Sequence, residues 1–147
     1  MSIESQRVLI TTAMNRINFG LPIRYANIPF KQPDNGAYGE FFIMGGAEPI
    51  ALGGAGYGKI IERSVQMIQL TMWVPEGSGT KPATQGLDAF RKAFAYKIGR
   101  DSEQCVYHFK GMQELNPSVR DNWSCLIGRI AFTRDEIQNV DIAASIV

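Results

Sequence analysis

Gly53, Gly58 and Lys59 stand at the G-x-x-x-x-G-K spacing of a loop that cradles nucleotide phosphates. The next residue of such a loop is Ser or Thr, whose hydroxyl helps hold Mg²⁺, and here it is Ile60. A phosphate loop also needs a helix to follow, so that unpaired backbone N–H groups and the helix dipole face the anion. The residues after Lys59 alternate as a strand instead. Ile60, Ser64, Gln66, Ile68, Leu70, Met72 and Val74 share one parity, and Val65, Met67, Thr71 and Trp73 share the other. The spacing therefore reads as a glycine-rich loop leading into a strand, because glycine takes backbone angles other residues avoid.

The remaining chemistry-bearing residues are sparse. His108 is the sole histidine and alternates with aromatic residues in a strand-like run. No Gly-x-Ser-x-Gly elbow, His-Glu-x-x-His or paired-carboxylate pattern occurs. Asp34, Glu40 and Glu48 lie around loops without the spacing of a metal site. Cys105 and Cys125 match no zinc pattern, and two thiols make no secreted disulfide framework. Both fall in strand-like segments and are expected as buried reduced thiols, with a disulfide as the alternative. The expectation is a protein that is not an enzyme and that carries no catalytic residue, cofactor or metal.

These residues need elements to position them. The chain has 147 residues, enough to bury about 68–70 % of its unfolded surface around one core. Its formal charge of +1 gives no general attraction to nucleic acid or anionic membrane. Residues 1–100 carry 11 basic and 7 acidic side chains, and residues 101–147 carry 4 and 7, a slight asymmetry. The first residues lack the apolar run of a signal peptide, and no 18-residue apolar stretch is present. Synthesis in a cytoplasm without a membrane anchor is the expectation.

A first helix is predicted from Ser2 or Ser5 as N-cap through Asn18, on Ile3, Ile10, Met14 and Ile17, with Gly20 and Pro22 ending it. Residues 23–26 read as a short extended segment and 31–36 as a turn-rich loop. Residues 38–44 read as a strand, and 45–58 as a long loop with six of the fifteen glycines. Loops of that length are uncommon in compact domains unless they are functional or disordered. After the 60–74 strand, Thr80 is a candidate N-cap for a second, amphipathic helix on Leu87, Phe90, Phe94 and Ile98, with Gly99 closing it. Strands follow over 105–110 and 123–133, with 111–122 as a connection. Adjacent strands without crossover helices predict an α+β domain over residues 1–134. Its mainly antiparallel sheet carries both helices on one side, and residues 135–147 form a tail suited to a neighbouring subunit.

The N-terminal helix, the run Ala26-Asn27-Ile28-Pro29-Phe30, the loop Leu52-Gly53-Gly54-Ala55-Gly56 and the turn Trp73-Val74-Pro75-Glu76-Gly77-Ser78-Gly79-Thr80 before an amphipathic helix carry a resemblance. Over residues 3–133 the chain looks like the tail-terminator family of long-tailed (siphovirus-type) bacteriophages. The resemblance implies a virion protein at the head-proximal end of the tail. It implies a homo-oligomeric ring, commonly a hexamer, that docks on tail-tube protein, stops tube polymerisation and offers a joining surface to head-completion or connector proteins. DNA would pass the ring lumen without sequence recognition. The family supplies no catalytic residue. A ring of heterologous contacts needs two unlike patches on each subunit. The candidate contact loops are residues 31–39 and 45–59, with Lys31, Asp34, Tyr38, Gly46, Glu48, Gly53, Gly54, Gly56, Tyr57 and Lys59 as candidate interaction residues. The rival readings are another head–tail connector or neck protein, and a small nucleotide-binding protein using residues 53–59.

Overall fold

A computed structural model describes residues 3–139 apart from Asn27, Asp34, Asn35, Ala47 and Ser78. The element order is α1 (Ile3–Asn15), β1 (Ile23–Tyr25), β2 (Tyr38–Gly45), β3 (Ile50–Leu52), β4 (Lys59–Pro75), α2 (Lys81–Phe94), β5 (Ile98–Arg100), β6 (Val106–Arg120) and β7 (Trp123–Asn139). Among the described residues, seven strands form one sheet in the order β1-β2-β4-β7-β6-β5, with β3 also on β4. Every pairing is antiparallel except β1 with β2. This is the α+β fold expected, with both helices on one face of a curled sheet.

The spine is the β4–β7 ladder, which runs unbroken from Lys59↔Asn139 to Pro75↔Trp123. Its two parities face different environments. Ile68, Leu70, Met72, Val74, Ile130 and Phe132 point toward the helices and are buried. The α2 stripe packs on them through rings: Phe90 meets Phe41 at 6.2 Å, and Phe94 meets Phe109 at 5.4 Å. Helix α1 adds Ile10 and Met14 to the same core, four residues apart and so on one helical face. Gln6, one turn earlier, is buried too and exchanges amide hydrogen bonds with Gln66 of β4 at 2.8 and 2.9 Å.

Several boundaries differ from the sequence expectation, each for a local reason. Helix α1 ends at Asn15, and the next turn closes through Ile17 N–H to the Met14 carbonyl. Ser5 is not a cap but sits inside α1, donating to Glu103 at 2.7 Å. Ser2 lies outside the described residues. Thr80 gives α2 no side-chain cap; its carbonyl instead accepts from the Thr84 N–H and hydroxyl. Helix α2 stops at Phe94, not at Gly99. Tyr96 takes a left-handed φ of 60°, and β6 captures the chain through Phe109 N–H to the Lys97 carbonyl at 2.9 Å. Ile98 thus leaves the helical stripe and becomes part of an edge strand.

The expected connection over 111–122 is strand. β6 continues to Arg120 across two register shifts, and Pro117 falls inside the second, between Leu115 and Ser118. A bulge is where a residue without an N–H interrupts no ladder bond. The reversal into β7 is the pair Asp121 and Asn122, both at positive φ (50° and 67°), as a two-residue hairpin requires. β7 in turn takes in residues 135–139, which the sequence assigned to the tail.

Candidate interaction surface

The long glycine loop resolves into two features of one interrupted hairpin. β2 and β3 run in the same direction along the same edge of β4, Gly45 opposite Gln66 and Ile50 opposite Arg63. Residues 46–49 are the interruption. Gly46 passes so close to β4 that a Cβ there would lie 2.0 Å from the Val65 carbonyl oxygen. Its place in the chain is therefore steric, and Glu48 beside it is exposed. Residues 53–58 are the tip, where Gly54, Gly56 and Gly58 take positive φ of 91°, 107° and 70°. The three angles let the turn project Tyr57 fully into solvent, with Lys59 exposed at its base.

Strands flank this tip on both sides, β3 before and β4 after. Among the described residues, the loop from Gly53 to Lys59 leads into a strand and not into a helix, whose N-terminus supplies the backbone donors of a phosphate loop.

The other candidate loop lies elsewhere. Tyr38 opposes Trp73 near the far end of β4, fourteen residues from Lys59, which is roughly 46 Å of strand at about 3.3 Å per residue. The two loops are at opposite ends of the sheet. Tyr38 itself is only 8 % exposed. Its ring packs between Phe30 at 5.7 Å and Trp123 at 5.4 Å, and burial raises its hydroxyl pKa. Within the chain it packs the loop against the end of the sheet. Lys31 is exposed at this end, and Asp34 lies outside the described residues.

Two surfaces were missed by residue type. The first is the sheet face opposite the helices, where Phe42 and Val65 are exposed and Met44, Met67 and Ala131 are half-buried. Polar pairs lace this face. Arg129 donates twice to Gln69, Trp73 Nε1 donates to Glu40 at 2.6 Å, and Arg63 forms a two-pronged ion pair with Asp135 at 2.7 and 2.8 Å. The apolar residues of the second parity of 60–74 were the visible signal for it. The second surface is a groove of about 340 Å³ where the start of α1 meets β1 and β2, lined by Ile3, Tyr25, Ile28, Phe41, Ile43 and Gln66. Nothing in the spacing of residues so far apart announces it.

One buried titratable group organises the turn before β6. Asp101 is buried and accepts from the Glu103 and Cys105 N–H groups and from the Tyr107 hydroxyl, fixing the turn before β6. Burial, then the Asp101 charge, pushes the Cys105 thiol up to about 11. Cys105 and Cys125 are both buried and form no disulfide. Cys105 adjoins Val106, which opposes Asp135 of β7. Cys125 is thus roughly 33 Å further along that strand, far beyond disulfide reach. His108 is half-buried on the sheet face away from the helices, opposite Thr133. Among the described residues, no group of three metal-ligating side chains occurs and no helix is long and apolar enough to cross a membrane.

No family model and no curated protein matches the chain. Several solved structures share the fold; one of them superposes with a TM-score of 0.66 over 91 % of this chain and 96 % of its own length, at 18 % identity. At that identity the likeness concerns the fold: the helix-backed sheet is an arrangement that other sequences also adopt.

Proposed function

We propose that the protein is a tail-terminator-type assembly protein of a long-tailed bacteriophage. In this reading its copies form a ring, commonly six-membered, that caps the tail tube, halts polymerisation and presents the head-joining surface. The observation that carries the reading is the separation of the two exposed loop regions by the length of the β4–β7 ladder. A subunit that must bind tube at one end and head-completion protein at the other needs contact elements on opposite ends of a stiff scaffold. A seventeen-residue two-strand ladder backed by two helices is such a scaffold. Occupying the growing end requires complementary surface and no bond-making chemistry.

The test is tube growth. Purified tail-tube protein is polymerised with and without the protein, and tube lengths are measured by electron microscopy. Substoichiometric protein is expected to stop elongation, and Tyr57→Asp at the hairpin tip is expected to weaken or redirect that activity. Tubes that elongate unchanged while the protein binds purified portal complexes would transfer it to the connector class.

A further inference from the structure

The groove between α1, β1 and β2 has an open strand edge along one side. β1 pairs only with Gly39, Glu40 and Phe41 of β2, and the chain then turns away through Ile28 N–H to the Tyr25 carbonyl. Among the described residues, no strand pairs with residues 42–45 of β2 on that side. An unpaired edge beside an apolar groove is the arrangement that accepts an added strand. The groove's polar floor is already engaged: Gln6 and Gln66 bond each other, and Arg134 donates to Gln6 at 3.0 Å. Thr11 is half-buried in the lining and Arg7 pairs with Glu4; the rest of the lining offered to an occupant is mainly apolar, with Ile3 75 % and Ile28 54 % exposed at the rim.

The chain contains a segment of matching pattern. Residues 140–147, Val-Asp-Ile-Ala-Ala-Ser-Ile-Val, follow β7 directly. Val140, Ile142, Ala144 and Ile146 share one wholly apolar parity, whereas the other alternates polar and apolar as Asp141, Ala143, Ser145 and Val147. In a strand laid beside β2, one parity faces the side of Phe41 and Ile43, which is the groove.

Reach decides whose groove it is. Asn139 lies opposite Lys59, whereas Ile43 at the groove lies opposite Ile68. Along β4 that separation is roughly 30 Å. Eight residues span at most about 26–29 Å when fully extended, and β7 leaves the ladder heading away from the groove. A reversal would shorten the reach further. We propose that residues 140–147 of one copy add as a strand to β2 of a neighbouring copy, with Val140, Ile142, Ala144 and Ile146 in the groove formed by Ile3, Tyr25, Ile28, Phe41 and Ile43. The contact is heterologous, tail to groove, and so propagates around a ring. This inference rests on the ring-forming reading above and names the contact that closes the ring.

The test uses full-length chains. Ile28→Cys, labelled with a benzophenone maleimide, is mixed with an equal amount of ¹⁵N-labelled wild-type chain, illuminated, and the cross-linked peptides are identified by mass spectrometry. Ile28 is at the surface, so the variant folds, and Cys105 and Cys125 are buried away from the reagent. The expected product joins residue 28 to a peptide from 140–147, with mixed-isotope species showing that it comes from another copy. Ile142→Asp in the ¹⁵N chain should lower the yield about tenfold, since a carboxylate is driven out of an apolar groove. Cross-links confined to one isotope would place the segment in its own groove. Cross-links to any other peptide, or none at 100 μM protein, would equally overturn the proposal. Chains that cap tubes without this cross-link defeat the inference alone, and chains that form it but leave tube growth unchanged defeat the capping reading alone.

Discussion

The two faces of the sheet are built from the same strands, yet they are used differently. On the helix side, alternate residues of β4 and β7 are closed off by two amphipathic helices: Ile68, Leu70, Met72, Ile130 and Phe132 expose nothing. On the other side, the intervening residues mix Phe42, Val65 and Met67 with Gln69, Arg129, Glu40 and an Arg63–Asp135 pair, and no helix among the described residues covers them. Burial on both sides of a strand normally marks a fully enclosed sheet. Here one side is enclosed and the other is half-apolar. The stability of the fold is therefore concentrated on the inner face, and the outer face is left open to association.

The largest effect should come from the inner face. Phe90 is fully buried between Phe41 and Phe94, at ring distances of 6.2 and 5.4 Å. Phe90→Ala removes that ring and leaves a cavity, and should destabilise the chain by about 3–5 kcal/mol, read as a fall in the denaturation midpoint. A loss below about 1 kcal/mol would mean that α2 is not the cover of the core.

A smaller effect tests the interrupted hairpin. Gly46→Ala places a methyl 2.0 Å from the Val65 carbonyl oxygen, so backbone must shift, at about 1–3 kcal/mol by analogy with overpacked sites. Gly53→Ala at the tip meets no atom within 4 Å and is not at positive φ; it should change stability by less than about 0.5 kcal/mol. Equal responses from the two glycines would show that the chain at residue 46 does not pass against β4.

That hairpin also marks how far the sequence could be read. The amphipathic stripe Leu87, Phe90, Phe94 was legible because its cover lies directly on the sheet, and the alternation of 60–74 was legible in both parities. β3 was not, because Pro49-Ile50-Ala51-Leu52 is too short to signal a strand and becomes one only through β4. The extension of β6 was hidden by Asn116-Pro117, which reads as a break and is accommodated by a register shift. Ile98 has the spacing of the α2 stripe, yet backbone bonds from β6 claim the chain first. For the candidate site, the exposed tip at Tyr57 and Lys59 was legible from its glycines. The packing of Tyr38 and the close approach of Gly46 to β4 were not legible, because each depends on residues distant in sequence. The groove residues Ile3 and Ile28 meet only in three dimensions, so no window of sequence contains them.

The outer face should respond weakly in stability. Val65→Ser and Phe42→Ser alter exposed side chains, and each should cost less than about 1 kcal/mol in the isolated chain. A cost comparable with Phe90→Ala would mean that this face is enclosed within the folded chain, and the contrast between the faces would fail.

The smallest effect is electrostatic and belongs to the same face. The Arg63 guanidinium, hydrogen-bonded to both Asp135 oxygens, holds the Asp135 carboxyl below its ordinary value, with a further contribution from His108. A carboxylate whose folded pKa is depressed binds its proton more readily when unfolded. Its contribution is therefore complete above the unfolded value of about 4 and is lost as pH falls through the lower folded value. Arg63 is 41 % exposed, so solvent screening limits the contribution to about 0.5–1 kcal/mol. Asp135→Asn should lower stability by that amount at pH 7, and wild type and variant should converge as acid protonates the wild-type carboxyl. Thermal melts between pH 7 and pH 2.5 measure the gap, and a gap that persists undiminished at the acid end would assign the loss to packing instead of charge. Raising salt to about 1 M should also narrow the gap at pH 7, because the Debye length falls to about 3 Å. Phe90→Ala should keep its full cost under the same conditions. The inner face is held by exclusion of water, whereas this outer pair is held by a charge that solvent and protons can reach.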